Sequence, residues 1–361
     1  MNNIFDYLKW RGDLSFLQDG VNNIDALIFA RLSYLPFEHI VPQTFENNVT
    51  LSFAAMAFSP VESMDDVLWK MDPVLLKTVG ESPRFAGVKV SGYVNNHDYK
   101  SKMQFSAICF DLENGVRFVS FRGTDASFVG WEEDFNMFTS ITLPSQLHAL
   151  KYFEQAAECD SRLILGGHSK GGNLSLYCAM NSVPSVQDRI EAVYNFDGPG
   201  FHREILDTKQ FEAVKGRAFS FVPQSSIFGM MLEHDEDFSI VSSKNKSFMQ
   251  HDIYSWEVMG CDFIYLDRLT NSSRFISGTL DGFLEKMTDE EKENFTNAFF
   301  TLLESTEISH FREVPKAPIS SSASIIKALK KLDKTKRSAL GRAIAKAALS
   351  VKDNISDIIK S

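Results

Sequence analysis

The chain has 361 residues, of which 44% are hydrophobic and 23% charged, enough for a real core and ordinary for a globular protein. Its net charge of −10 is uneven: from Pro315 on, eleven Lys/Arg face three Asp, so this tail is +8 and residues 1–314 are −18. An acidic body argues against nucleic acid as a partner, four scattered cysteines without CxxC spacing argue against a disulfide framework, and no run approaches the ~18 apolar residues of a membrane span.

The opening residues, MNNIFDYLKWRGDLSF, lack a basic segment followed by a long apolar run, which makes the cytoplasm the expected location. Residues 1–80 are expected to be helices and loops, with helical apolar spacing in IDALIFARLSYL and MDDVLWKMDPVLLKTV. From Phe85 the pattern changes to short runs rich in Val, Ile and Phe. FAGVKVSGYV, MQFSAICFDL and VRFVSFRG predict strands, with ENG as a hairpin turn between the last two. Helices near Trp131–Met137 and Ser145–Cys159 lead to the strand RLILGG and a helix from Lys170. The strands EAVYNFDG, RAFSFVP and a shorter DFSIVSS follow.

TDEEKENFTNAFFTLLEST predicts a helix opened by a capping box from Thr288 to Glu291. VPKAPISSSAS is a linker, separating residues 1–314 from a basic tail over 315–361 with apolar residues at roughly helical spacing. Strands alternating with helices indicate an α/β domain with a mostly parallel, doubly wound sheet flanked by helices, behind a helical N-terminal part.

Gly167-His168-Ser169-Lys170-Gly171 fits G-x-S-x-G between a strand and a helix, the setting of a nucleophile elbow. Gly167 and Gly171 admit the strained turn and close helix–strand packing. The turn lifts Ser169 to a helix N-terminus, where developing negative charge is favoured and the Lys170 backbone N–H can serve as an oxyanion donor. The bland alternative is a tight structural turn with an incidental serine. Lys170 places a cation at the positive end of the helix dipole, unfavourable by ~0.3–1 kcal/mol when exposed. Either an acidic partner or an anionic substrate group offsets this, or the side chain reaches away to solvent.

A second stretch, FVSFRGTDASFVGWEEDF, ends a strand on Gly123-Thr124 and continues through Trp131 to Asp134. Together with GGHSKGGN it resembles the class 3 lipases of the α/β-hydrolase fold, whose strand-ending F-R-G-[TS] precedes W-x-x-D. The resemblance implies an oxyanion donor at Thr124, oriented by Asp134. More broadly, YLKWRGDLSF, NNIDALIFARLSYL, FDGPGF, VPQSSIFGMMLEH and QHDIYSW resemble a lipase-like hydrolase family of Gram-positive bacteria over about residues 5–265. That resemblance implies a reaction class, without metal or organic cofactor, and no particular substrate.

A nucleophilic serine needs a base, and in this fold the order is Ser, acid, His. His168, in the elbow, is read as holding the turn. Of the histidines after Ser169, His310 sits at a helix end, which leaves His202, His234 and His251. His251 in FMQHDIYSW lies where the class 3 lipases place theirs. Those lipases place the acid after the strand before the histidine, where this chain has Ser225-Ser226. Glu233 is the first candidate because its loop is near that position, with Asp235, Asp237 and Asp197 as alternatives. Ile227, Phe228, Met230, Met231 and Leu232 either line an acyl pocket or are plain core.

The reading is a serine hydrolase acting on a small-molecule or lipid ester. The competitor is a scaffold that lost its acid and binds a lipid or protein partner. The tail could lie on an anionic membrane surface, dock a partner or stay disordered.

Overall fold

The computed structural model describes residues 2–304 and 334–360, apart from 59–66, 68, 126, 272, 274, 276–277, 280–281 and 284–285. The Pro/Ser linker and the first part of the tail lie outside the described residues. The chain forms two compact units. The first comprises Met1–Asn96, Phe105–Gly123 and Pro144–Ser273, and the second His97–Gln104, Thr124–Leu143 and Arg274–Ser361. The tail thus groups with the segment after Arg274 and with Thr124–Leu143.

The longer helices, in chain order, begin with α1 (Ile4–Arg11), α2 (Asn23–Leu32), α3 (Leu51–Ala57), α4 (Asp72–Glu81) and α5 (Phe128–Asn136). They continue with α6 (Pro144–Ala156), α7 (Lys170–Asn181), α8 (Lys209–Lys215), α9 (Asp289–Glu304) and α10 (Lys334–Lys360). The N-terminal part is helical as its spacing predicts. Asn3 and Asn22 start α1 and α2 with reciprocal capping boxes to Asp6 and Asp25. Every residue of α2 from Ile24 to Leu32 is buried, so this helix is a core element rather than an amphipathic surface one.

The strands are β1 (Val49–Thr50), β2 (Lys89–Asp98), β3 (Met103–Asp111), β4 (Val116–Phe121), β5 (Arg162–His168) and β6 (Ile190–Phe196). Then come β7 (Ala218–Pro223), β8 (Phe238–Val241), a ribbon of β9 (Val258–Met259) with β10 (Asp262–Phe263), and β11 (Tyr265–Leu266). Among the described residues nine strands form one sheet in the order β1-β2-β3-β4-β5-β6-β7-β8-β11. Strands β4 to β8 run parallel, while β3 joins β4 and β11 joins β8 antiparallel. The predicted ENG turn is present, with Gly115 at φ 79° in the left-handed region.

Side-chain alternation along β4 shows why the central strands are apolar on both faces. Phe118 meets Phe29 of α2 at 5.1 Å between ring centroids, and Ser120 Oγ donates to the Phe29 carbonyl. Phe121 points the other way, to Tyr152 of α6. A parallel sheet covered on both faces needs such strands, because neither face meets water. In this arrangement the carboxyl ends of β5 and β6 lie side by side, where open α/β sheets hold their functional groups.

In the second unit, α9 opens with the predicted capping box: Glu291 N–H donates to Thr288 Oγ1, and Thr288 N–H to Glu291 Oε2. Residues 334–360 of the tail are one helix rather than a disordered extension. Helix α10 packs against α9, burying Ala339, Leu340 and Ala343, and Lys346 pairs with Glu291 at 2.6 Å. Among the described residues no helix is long and apolar enough to cross a membrane.

Candidate active site

Strand β5 ends at His168 and α7 begins at Lys170, so Ser169 alone makes the turn between them. Its φ of 59° and ψ of −136° lie in a region that L-residues seldom enter. The turn is held by Ser169 N–H donating to the Phe196 carbonyl at 2.9 Å and by Gly172 N–H donating to the Ser169 carbonyl. The flanking glycines are required by contact. A Cβ on Gly167 would lie 2.2 Å from the Gly171 carbonyl carbon, and one on Gly171 would lie 2.0 Å from the Phe121 oxygen. Gly123, at the end of the β4 segment, also abuts the elbow, since a Cβ there would lie 2.9 Å from Ser169 Cβ.

His251 ends a short 3-10 turn, Ser247–His251, and its Nδ1 lies 2.7 Å from Asp197 Oδ2. Asp197 directly follows β6, is 1% exposed, and adopts φ 53°. Its other oxygen, Oδ1, accepts from Ser226 Oγ and from the Gly229 N–H at 3.2 Å. A carboxylate so placed can only accept, so the Nδ1 of His251 carries the proton and Nε2 is left with its lone pair.

This geometry corrects the first-ranked acid. Glu233 is a surface residue whose carboxylate pairs with Arg203, and Asp235 pairs with Lys215 at 2.7 Å. Closeness in sequence to position 226 does not bring Glu233 to His251, since its side chain is half exposed and held by Arg203. The carboxylate beside His251 is that of Asp197, at the end of β6. Ser226 stands where the lipase pattern has its Asp, and here it donates to Asp197.

The remaining expected residues fall as follows. Thr124 Oγ1 donates to Asp134, 2.6 and 2.8 Å from its two oxygens, as the resemblance implies. The Lys170 side chain is 1% exposed, so it does not reach solvent. Ile227, Phe228, Met230, Met231 and Leu232 are half-buried rather than core, and the Phe228 ring lies 4.4 Å from that of His251. Beside them stand His168 of the elbow motif and Tyr34, which the sequence reading does not single out. His168 Nε2 is 2.9 Å from the His251 carbonyl, and its Nδ1 is 3.0 Å from the Tyr34 hydroxyl. Burial first, then the neighbouring His251 and Arg31, hold His168 well below the ordinary imidazole value. Among the described residues no cluster of His, Cys, Asp and Glu could hold a metal.

The fold is a mixed α/β one with a large, mostly parallel sheet, with Ser169 and Asp197 directly after adjacent strands and His251 bonded to Asp197. The chain belongs to the Mbeg1-like family, a lipase-like family whose model matches residues 79–301. Among solved structures it is similar to the M37 lipase (16% identity, TM-score 0.36), over 57% of this chain and 68% of that one. It is also similar to the Rhizomucor miehei lipase in its propeptide complex (14% identity, TM-score 0.32), over 53% and 65%. No curated protein matches the sequence.

Proposed function

We propose that the chain is a serine hydrolase of the α/β-hydrolase fold that cleaves a carboxylic ester through an acyl-enzyme on Ser169. The observation that carries this reading is the buried Asp197 bonded to His251 Nδ1, one strand away from a strained serine at a strand-to-helix elbow. In this reading His251 Nε2 takes the Ser169 proton as Oγ attacks the acyl carbon. His251 then returns that proton to the leaving alkoxide, and Asp197 stabilises the imidazolium in between. Water attacks the acyl-enzyme by the reverse route, releasing the acid and restoring Ser169.

The oxyanion is assigned to the backbone N–H of Lys170 in the first turn of α7. The half-buried Phe228 and its apolar neighbours flank the imidazole and supply an acyl-binding wall. The competing view, a scaffold without an acid, rests on Ser225-Ser226 and loses its support once Asp197 fills that role. A fluorophosphonate probe tests the proposal. Wild type should be labelled at Ser169, Ser169→Ala should not be labelled at all, and His251→Ala should react far more slowly. Folded wild type that resists the probe would refute it.

A further inference from the structure

The loop that carries His251 is tied to residues that precede the matched family segment. Tyr254, three residues after His251, donates its hydroxyl to Asp72 Oδ1 at 2.7 Å. Asp72 accepts both Nε and Nη2 of Arg31, at 2.6 and 2.7 Å, with each side chain 1% exposed. The Arg31 guanidinium lies 4.3 Å from the Tyr34 ring centroid and 5.7 Å from that of Tyr254. Tyr34 then reaches the elbow, where its hydroxyl lies 3.0 Å from His168 Nδ1 and 3.1 Å from the His168 carbonyl oxygen. His168 Nε2 closes the circuit on the His251 carbonyl. A carbonyl only accepts, so Nε2 of His168 must carry hydrogen; the neutral ring leaves Nδ1 an acceptor, and the one hydrogen of the Tyr34 hydroxyl faces both that nitrogen and the His168 carbonyl.

We infer that Tyr34 and His168 are positioning residues for His251: they hold its backbone so that the imidazole meets Asp197 on one side and Ser169 on the other. This rests on the reading of His251 as the base. Arg31, Tyr34 and Asp72 are therefore part of the site's frame, although the family match starts only at residue 79. The contact made by His168 is one that the amide of glutamine reproduces at the Nε2 position and leucine does not. Tyr34→Phe removes a single oxygen and preserves the ring over Arg31.

The test uses the full chain as wild type, Tyr34→Phe, His168→Leu and His168→Gln, with melting curves confirming that each folds. Two readouts are taken. One is the downfield proton resonance of His251 Nδ1–H in its bond to Asp197, identified by its disappearance in His251→Gln. The other is the rate of Ser169 labelling by the fluorophosphonate, with kcat and KM for a small soluble ester. We expect the resonance to shift or vanish in Tyr34→Phe and His168→Leu and to persist in His168→Gln. Labelling and kcat should fall about 3–10-fold in Tyr34→Phe, the size of one lost hydrogen bond, and further in His168→Leu, with KM unchanged. A wild-type spectrum lacking this resonance, or a resonance unaltered in both disruptive variants, overturns the proposal. Failure of wild type to label at Ser169 defeats the hydrolase reading separately, since the resonance still decides whether His251 is positioned this way.

Discussion

Replacing Asp197 by Asn is the sharpest perturbation of the site, because shape is kept and one property changes. The Asn carbonyl can still accept from Ser226 Oγ and the Gly229 N–H, as Oδ1 does now. Its amide nitrogen then faces His251 Nδ1, and two N–H groups cannot share a 2.7 Å contact. The imidazole must adopt the other tautomer, with hydrogen on Nε2, and can no longer take the serine proton. The corresponding change in the worked serine-protease case lowers kcat by ~10⁴, so a loss of ~10³–10⁴ is expected here, about 4–5.5 kcal/mol of barrier. Steady-state hydrolysis of a small soluble ester measures it, with Glu233→Gln as the control expected within a few-fold of wild type. An Asp197→Asn enzyme within tenfold of wild type, or a larger loss in Glu233→Gln, would refute the assignment.

Ser226→Ala removes the hydroxyl donor to Asp197 but leaves the Gly229 amide, so kcat should fall about tenfold or less at constant KM; an unchanged kcat would show that Gly229 suffices. His168 is held neutral when folded, whereas in the unfolded chain it titrates near its ordinary value of about 6.5. As pH falls below ~6.5 the unfolded state takes up a proton the folded state refuses, so stability present above that pH is lost, by up to ~1.4 kcal/mol per unit for one proton. Urea midpoints from pH 7 to 5 should show a shallower slope for His168→Gln, and parallel slopes would contradict the sign argued here. A chain ending at residue 333 lacks the apolar face of Ala339, Leu340 and Ala343 and the Lys346–Glu291 pair. It should melt at lower temperature than the full chain, and superimposable melting curves would mean that the α10 helix is not held.

The strand and helix pattern and the strand-to-helix turn at Ser169 are legible because each depends on local sequence. Periodicity sets the elements, and Gly167 and Gly171 mark a place where backbones nearly touch. The carboxylate that pairs with His251 is not legible by the same route. Asp197 meets His251 across 54 positions of sequence, through the register that puts the ends of β5 and β6 side by side. A signal was nonetheless present: an Asp directly after a parallel strand, followed by Gly-Pro-Gly, sits at the edge where such sheets place their chemistry. Lys170 escaped for a different reason, since dipole arguments say nothing about whether a long side chain is covered. The tail was read from composition, which reports charge but not the α9 surface that receives α10.

Ser169 and Asp197, at the ends of adjacent strands, both hold backbone angles that glycine would adopt without penalty. A glycine at either place would relieve local strain and, judged by melting temperature alone, could pass as an improvement. Design by stability or by backbone preference would therefore tend to erase the two side chains proposed to do the chemistry. Left-handed backbone at a residue other than glycine, at the carboxyl edge of a parallel sheet, is thus a marker by which sites in related chains can be sought without any knowledge of what they cut.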